Sequence, residues 1–314
     1  MLAGLAYGAL WFADGFWILF AAMVVLGVGE AVQHPLSSAL ISRAFGSGPR
    51  RAALGVYNFA GDLGKMVVVF ATAAAIGMVG WQATVAGTGL LAVMIGVALL
   101  VGLAALALGG RPVQRSNTDD APPATVGWGF GNATGFALLS TIHALDSSCR
   151  SVSLLLLPFV LVAKGADTAT IGLALALVFA GGAAGKLACG LLTERVGVVA
   201  TVITTELATA ALLVAMIAAP LPWVLICAAP FGLALNGTSS ATYGSVGDFV
   251  AADRQARAFG LFYTVGSIAG AVAPLVFGIA ADLIGVSSAL SIMAGLIVLT
   301  LPLAVVLGPH LRHR

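Results

Sequence analysis

Long apolar runs separated by short polar breaks follow one another along the whole chain. A transmembrane helix needs roughly 20 mostly apolar residues. Runs of that order cover 16–43, 52–76, 82–108, 128–162, 168–193, 197–219, 222–247, 257–281 and 287–308. A shorter run over 1–13 precedes them and stops at Asp14-Gly15. The breaks carry turn chemistry: Gly46-Ser47-Gly48-Pro49, Gly80, Gly165, Pro220-Leu221-Pro222 and Gly285. Only 109–126 is both long and polar, with several prolines and mixed charge, and it reads as a linker. The pattern predicts an all-α polytopic membrane protein with about ten transmembrane helices. An incomplete N-terminal half (1–108, four spans) and a C-terminal six-helix half (128–314) flank a cytoplasmic linker at 109–127.

Composition supports the bilayer as the solvent. Of 314 residues, 60% are hydrophobic and 8% are charged, against about 25% charged in soluble domains. Such a chain cannot cover a water-facing surface with polar groups, whereas a lipid-facing surface needs none. The net charge of +2, with no basic cluster, is too small to argue for nucleic acid, and no nucleic-acid partner is expected. Cys149, Cys189 and Cys227 lie in apolar stretches without metal-ligand spacing and read as small core residues, so no metal and no cofactor is expected. Arginines outnumber lysines eleven to three, which together with abundant Ala and Gly hints at a bacterial source, and hence a bacterial inner (plasma) membrane.

The basic residues also give an orientation. With 44–51 in the cytoplasm, Arg43, Arg50, Arg51, Arg111, Arg115, Arg195, Arg254, Arg257, Arg312 and Arg314 all fall on that side, and the opposite loops keep only Lys164. The C-terminus is then cytoplasmic. A further regularity is an internal repeat at an offset of 206 residues, which aligns Trp17 with Trp223, Arg51 with Arg257, Ala52 with Ala258, Tyr57 with Tyr263 and Gly64 with Gly270. Parallel repeats of this kind build transporters whose site lies between two pseudo-symmetric halves. By the same offset the first half lacks two helices ahead of Met1.

Local motifs now suggest a family. Gly190-Leu191-Leu192-Thr193-Glu194-Arg195-Val196-Gly197 resembles the G-x-L-a-D-R-x-G loop signature of the major facilitator superfamily, with Glu194 in the Asp position. A tight turn there would let Glu194 and Arg195 bond to each other and to helix ends. Arg51 through Tyr57 and Arg257 through Tyr263 look like the gating entries to the family's fifth and eleventh helices. Gly266, Gly270, Pro274 and Gly278 recur every four residues, a spacing that allows close helix packing and a bend. The resemblance covers the whole chain as helices three to twelve of twelve, and it implies a major-facilitator-type bundle. The chain departs from the pattern at Met23, where an arginine ahead of Gly27 would stand, and at Lys65-Met66, where the antiporter motif has Gly-Pro.

Ionisable residues within spans are expensive and read as functional by default. Glu30 and His34 share a helix face, as do Asp62 and Lys65. His143, Asp146 and Arg150 are spaced by three and four near the middle of their span. Lys186 and Glu206 sit in consecutive spans, where they could pair across helices or where Lys186 could snorkel to the interface. The repeat places Glu30 opposite Asn236. Glu30 beside His34 could load and release a proton, and Arg150, held by Asp146, could orient an anionic group of a substrate. Trp81, Trp128 and Trp223 fall at span ends and read as interfacial belts.

These features give three functional readings. The first is a secondary active transporter that moves a small organic solute by alternating access, coupled to H⁺. The second is a non-transporting truncated membrane protein, whose cavity would lack a wall. The third is an intramembrane hydrolase using Ser239 or Ser240 with His34 or His143. A phosphate-binding G-x-x-x-x-G-K-[ST] loop is absent, so ATP-driven transport would need another subunit. H-E-x-x-H is absent too and small hydroxyl residues commonly pack helices, so no catalytic residue is assigned and no enzyme activity is expected.

Overall fold

The computed structural model describes residues 1–31, 49–105, 130–250 and 255–311, and at 30–31, 49–56, 58–59 and 255–256 it describes the backbone alone. His34, the 109–127 linker and Trp128, together with the side chains of Glu30 and Arg51, therefore lie outside the described residues. The chain forms α1 (Leu2–Ala9, extended by a 3-10 turn Leu10–Phe12), α2 (Phe16–Ala31), α3 (Pro49–Val79), α4 (Trp81–Ala105) and α5 (Ala133–Ala163). It continues with α6 (Thr168–Ala218), α7 (Leu221–Ser245), α8 (Gln255–Ile284), α9 (Val286–Val298) and α10 (Thr300–Leu307). Among the described residues, seven helices are long and apolar enough to cross a membrane, with Val286–His310 counted as one, and two shorter apolar helices stand at the N-terminal end.

The 51-residue α6 is the exception in length. Straight, it would run about 75 Å, more than twice the roughly 30 Å hydrocarbon thickness. Gly197 resolves this, because its φ of 84° and ψ of 168° break the helix into two limbs. These limbs match the two spans expected at 168–193 and 197–219. The expected tight turn through Glu194 and Arg195 is corrected, however: the chain stays helical up to Gly197, and both side chains are exposed without an ion pair to each other. Only glycine tolerates the Gly197 conformation. Gly197→Ala is expected to cost roughly 1–3 kcal/mol, read as a lowered unfolding midpoint of the reconstituted protein. An unchanged midpoint would mean that the break lies elsewhere.

The span expected over 287–308 is present as Val286–His310, and Leu299, between α9 and α10, keeps helical φ/ψ of −64° and −17° while the hydrogen-bond ladder is locally disturbed. Pro302 has no N–H to offer the Val298 carbonyl, and the Thr300 hydroxyl takes up the Ile297 carbonyl at 2.5 Å. Elsewhere the turns fall where glycine allows positive φ, at Gly80, Gly165 and Gly285. Lys164 has a structural task. Its Nζ donates to the carbonyls of Ile217 (2.8 Å) and Ala219 (2.6 Å), which the end of α6 leaves without helical partners. Asp167 caps the start of α6 by accepting from the Thr170 N–H at 2.8 Å. These bonds from Thr170 hold its carboxyl below the usual carboxylate range, so the cap's contribution is present at neutral pH and fades as pH falls through that lowered value.

The chain divides into two compact units, Met1–Gly61 with Phe70–Ala124, and Asp62–Val69 with Thr125–Arg314. In the first, α1 packs on α4 through Gly4 and Gly89, each too close to the other helix's backbone for a Cβ. Its buried core is small (Leu10, Ala13 and Ala22). Phe12, Trp17, Leu90, Leu99 and Val101 point outward, as lipid-facing side chains do.

The second unit is more deeply packed. One apolar cluster centres on Leu157, Leu161, Leu213, Met216, Phe231 and Leu290. A second, around Leu139, Ile142, Phe249 and Phe262, closes the end where Phe130 pairs with Val250. Between α6 and α7 the backbones touch: a Cβ on Gly232 would overlap the Val178 carbonyl, and one on Gly181 would overlap that of Ala229. All three cysteines are free, with Cys149 and Cys189 buried. Trp81 and Trp223 stand exposed near the starts of α4 and α7.

Candidate functional site

The middle of α5 carries the chemistry of the second unit. One turn separates Asp146 from Arg150, and the Arg150 guanidinium bonds the Asp146 carboxylate directly. Asp146 is 2% exposed, so this ion pair is built into the core. Glu206, on the second limb of α6, is 1% exposed and within electrostatic reach of both. Its carboxyl meets Thr238, which shares a 2.7 Å hydroxyl–hydroxyl bond with Thr205. Among the described residues, Glu206 Oε1 and Arg150 Nε have no hydrogen-bond partner. One cation thus stands among two carboxyl groups in a water-poor interior.

His143 lies one turn before Asp146 but takes a different direction. Its ring stacks on Phe262 (4.2 Å, 11°) and meets Tyr243 edge-on (5.3 Å, 74°). Tyr243 in turn contacts Tyr263 (5.2 Å) and interacts with Arg150. The room for His143 comes from α8, since a Cβ on Gly266 would overlap the imidazole Nε2. A cavity of about 400 Å³ opens beside this aromatic group, within the range of roughly 300–1,000 Å³ common for small-molecule sites. Its polar lining is His143, Ser147 and Ser151 from α5, Tyr243 from α7, and Tyr263 and Ser267 from α8.

A second cluster belongs to the same unit. Asp62, 6% exposed, accepts from Lys65 at 3.2 Å and from Lys186 at 2.6 Å. Lys186 therefore bonds Asp62 in place of the Glu206 pairing weighed from sequence. Asn236 donates back to the Gly232 carbonyl at 3.1 Å and packs against Gly182, inside the α6–α7 contact. Ser239 and Ser240 donate to the carbonyls of Asn236 (2.7 Å) and Lys186 (3.0 Å). Their hydroxyl protons are thus directed at backbone and not at a histidine base. Gly190 lies on the first limb of α6, ahead of the Gly197 break, and Arg257 is exposed near the start of α8. Gly270 sits against Ser151, and Pro274 lies inside α8. Tyr57 is half-buried on α3.

A bundle of helices long and apolar enough to cross a membrane, with an ion pair, a further carboxyl group and a polar cavity inside it, defines a polytopic membrane protein with a polar interior. The chain is a member of the Major Facilitator Superfamily, whose family model matches residues 136–314. Among curated proteins, none matches it. The solved structures that share its fold include two crystal structures of a bacterial homologue of the human lysosomal transporter Spinster. The inward-facing, unoccupied form superposes with a TM-score of 0.69 at 15% identity, covering 98% of this chain and 80% of that one. The inward-facing, occupied form gives 0.65 at 14% identity, over 98% and 79%.

Proposed function

We propose that this protein is a secondary active transporter of the inner membrane that moves a small organic solute by alternating access, coupled to protons, with its C-terminus in the cytoplasm. The observation that carries this reading is the Asp146–Arg150–Glu206 group, ionisable chemistry held in the core of an apolar bundle at a cost that function must justify. Family membership supports transport, and the arginine distribution supports the orientation. Proton exchange is assigned to carboxyl groups within spans, with the buried Glu206 of the second unit joining Glu30, which the sequence alone suggests. The Asp62–Lys65–Lys186 cluster holds its helices together through charge.

Everted membrane vesicles carrying the protein provide the test. A panel of small organic solutes is added under a respiratory pH gradient, with dye dequenching as the proton readout and labelled solute as the flux readout. At least one solute is expected to dissipate the gradient, and Glu206→Gln should abolish the dissipation while sparing solute counterflow. Flux without dissipation would remove proton coupling. No flux of any solute would remove transport and favour a non-transporting membrane protein.

A further inference from the structure

The lining of the α5–α7–α8 cavity is selective in what it omits. None of its residues carries a carboxylate, an ammonium or a guanidinium group. Arg150, the nearest cation by sequence, is occupied by Asp146 one turn away. A charged solute entering here would shed its hydration and meet no free counter-charge, a cost that only a paired partner offsets.

What the lining offers is hydroxyl groups. Serine and threonine inside apolar helices usually return their proton to a carbonyl one turn back, and on these same helices Thr141, Ser148 and Thr264 do so at 2.8–2.9 Å. Among the described residues, Ser147, Ser151 and Ser267 make no such bond, and all three line the cavity. His143, Ser147 and Ser151 recur every four residues, so one stripe of α5 presents an imidazole and two free hydroxyls to the same space. His143 is 2% exposed, and its Nδ1 has no partner. Across the cavity stand Tyr243 and Tyr263, whose ring faces offer apolar surface to C–H groups.

We infer that this cavity binds an uncharged, hydroxyl-rich solute of the polyol or monosaccharide class. Hydroxyl groups both donate and accept, so the serine hydroxyls match a ligand of the same kind without leaving either partner unpaired. Gly266 and Gly270 complete the fit by withholding side chains where His143 and Ser151 need room. The inference rests on the transport reading only for why such a cavity should exist; binding itself can be measured without flux.

The test uses the full chain in lipid nanodiscs, with no sugar-based detergent, and three probes of nearly equal size: glucose, gluconate and protonated glucosamine. Calorimetry is expected to show binding of glucose and not of the two charged analogues. The Ser147→Ala/Ser151→Ala double variant should bind glucose about tenfold or more weakly, as expected for lost hydrogen bonds. Its unliganded unfolding midpoint should match that of the parent; if the double variant fails to fold, Ser267→Ala on α8 provides the same comparison. Preference for gluconate or glucosamine, binding of none of the three, or full affinity in a folded serine variant would each overturn the assignment. Glucose binding without vesicle flux would leave the cavity assignment standing and remove only the transport reading.

Discussion

Arg150→Met is expected to destabilise the protein by about 3–5 kcal/mol. The substitution keeps much of the side-chain volume but leaves the Asp146 carboxylate, 2% exposed, without its bonded cation. Breaking one side of a buried pair costs far more than removing both sides, because the remaining charge has neither water nor partner. The combination Asp146→Asn/Arg150→Met should therefore recover most of the loss. Unfolding of the single and double variants in nanodiscs gives the comparison. A single variant as stable as the parent would mean that Asp146 meets water in the dominant conformation, and the core assignment would fall.

The second large effect is steric. Gly232→Val should destabilise the unit by about 3 kcal/mol or more, at or beyond the upper end for overpacked cores. The atom that the new Cβ meets is the Val178 carbonyl oxygen, part of a helix backbone that no rotamer change can move. The α6 and α7 axes must separate, and with them Gly181 loses its seat against Ala229. Gly244→Val, at a position with nothing nearby, is the control and should be close to neutral. Equal losses at both positions would indicate that helix propensity, and not the close approach, dominates.

Much of this architecture was legible in the sequence, because lipid imposes one simple rule on every span. A run such as 82–108 must be apolar all round, and α4 fills it from Trp81 to Ala105. Turn glycines were equally legible, as Gly80, Gly165 and Gly285 show. The local disturbance of the ladder at Leu299 was not, since Pro302 inside an apolar run leaves hydropathy unchanged while removing a backbone donor. Nor was the helical continuation through Glu194, because a loop motif names residues and not the φ and ψ they adopt. At the site, the spacing of Asp146 and Arg150 was sufficient, as both partners lie on one helix. The Asp62 partner of Lys186 was not legible, because contacts between distant helices leave no trace in local periodicity. The cavity serines had a readable signal: Ser147 and Ser151 continue the four-residue stripe from His143. That signal is quieter than a buried charge, because a hydroxyl can return its proton to its own helix and so costs little in an apolar span.

The Asp146–Arg150 pair also bears on how the protein is made. Each residue alone would resist entry of α5 into the membrane by roughly 2.5–3.5 kcal/mol at mid-helix. Because the two are one turn apart on the same helix, the counter-ion travels with the charge, and the pair can form as soon as that turn is helical. α5 thus arrives in the bilayer already neutralised, before any neighbour is present. Asp62 likewise carries a local counter-ion in Lys65, three residues on, whereas Lys186 is 124 residues from Asp62 and has no such provision, so its segment must wait for that partner. Order of assembly is therefore written into which ion pairs are local and which are distant.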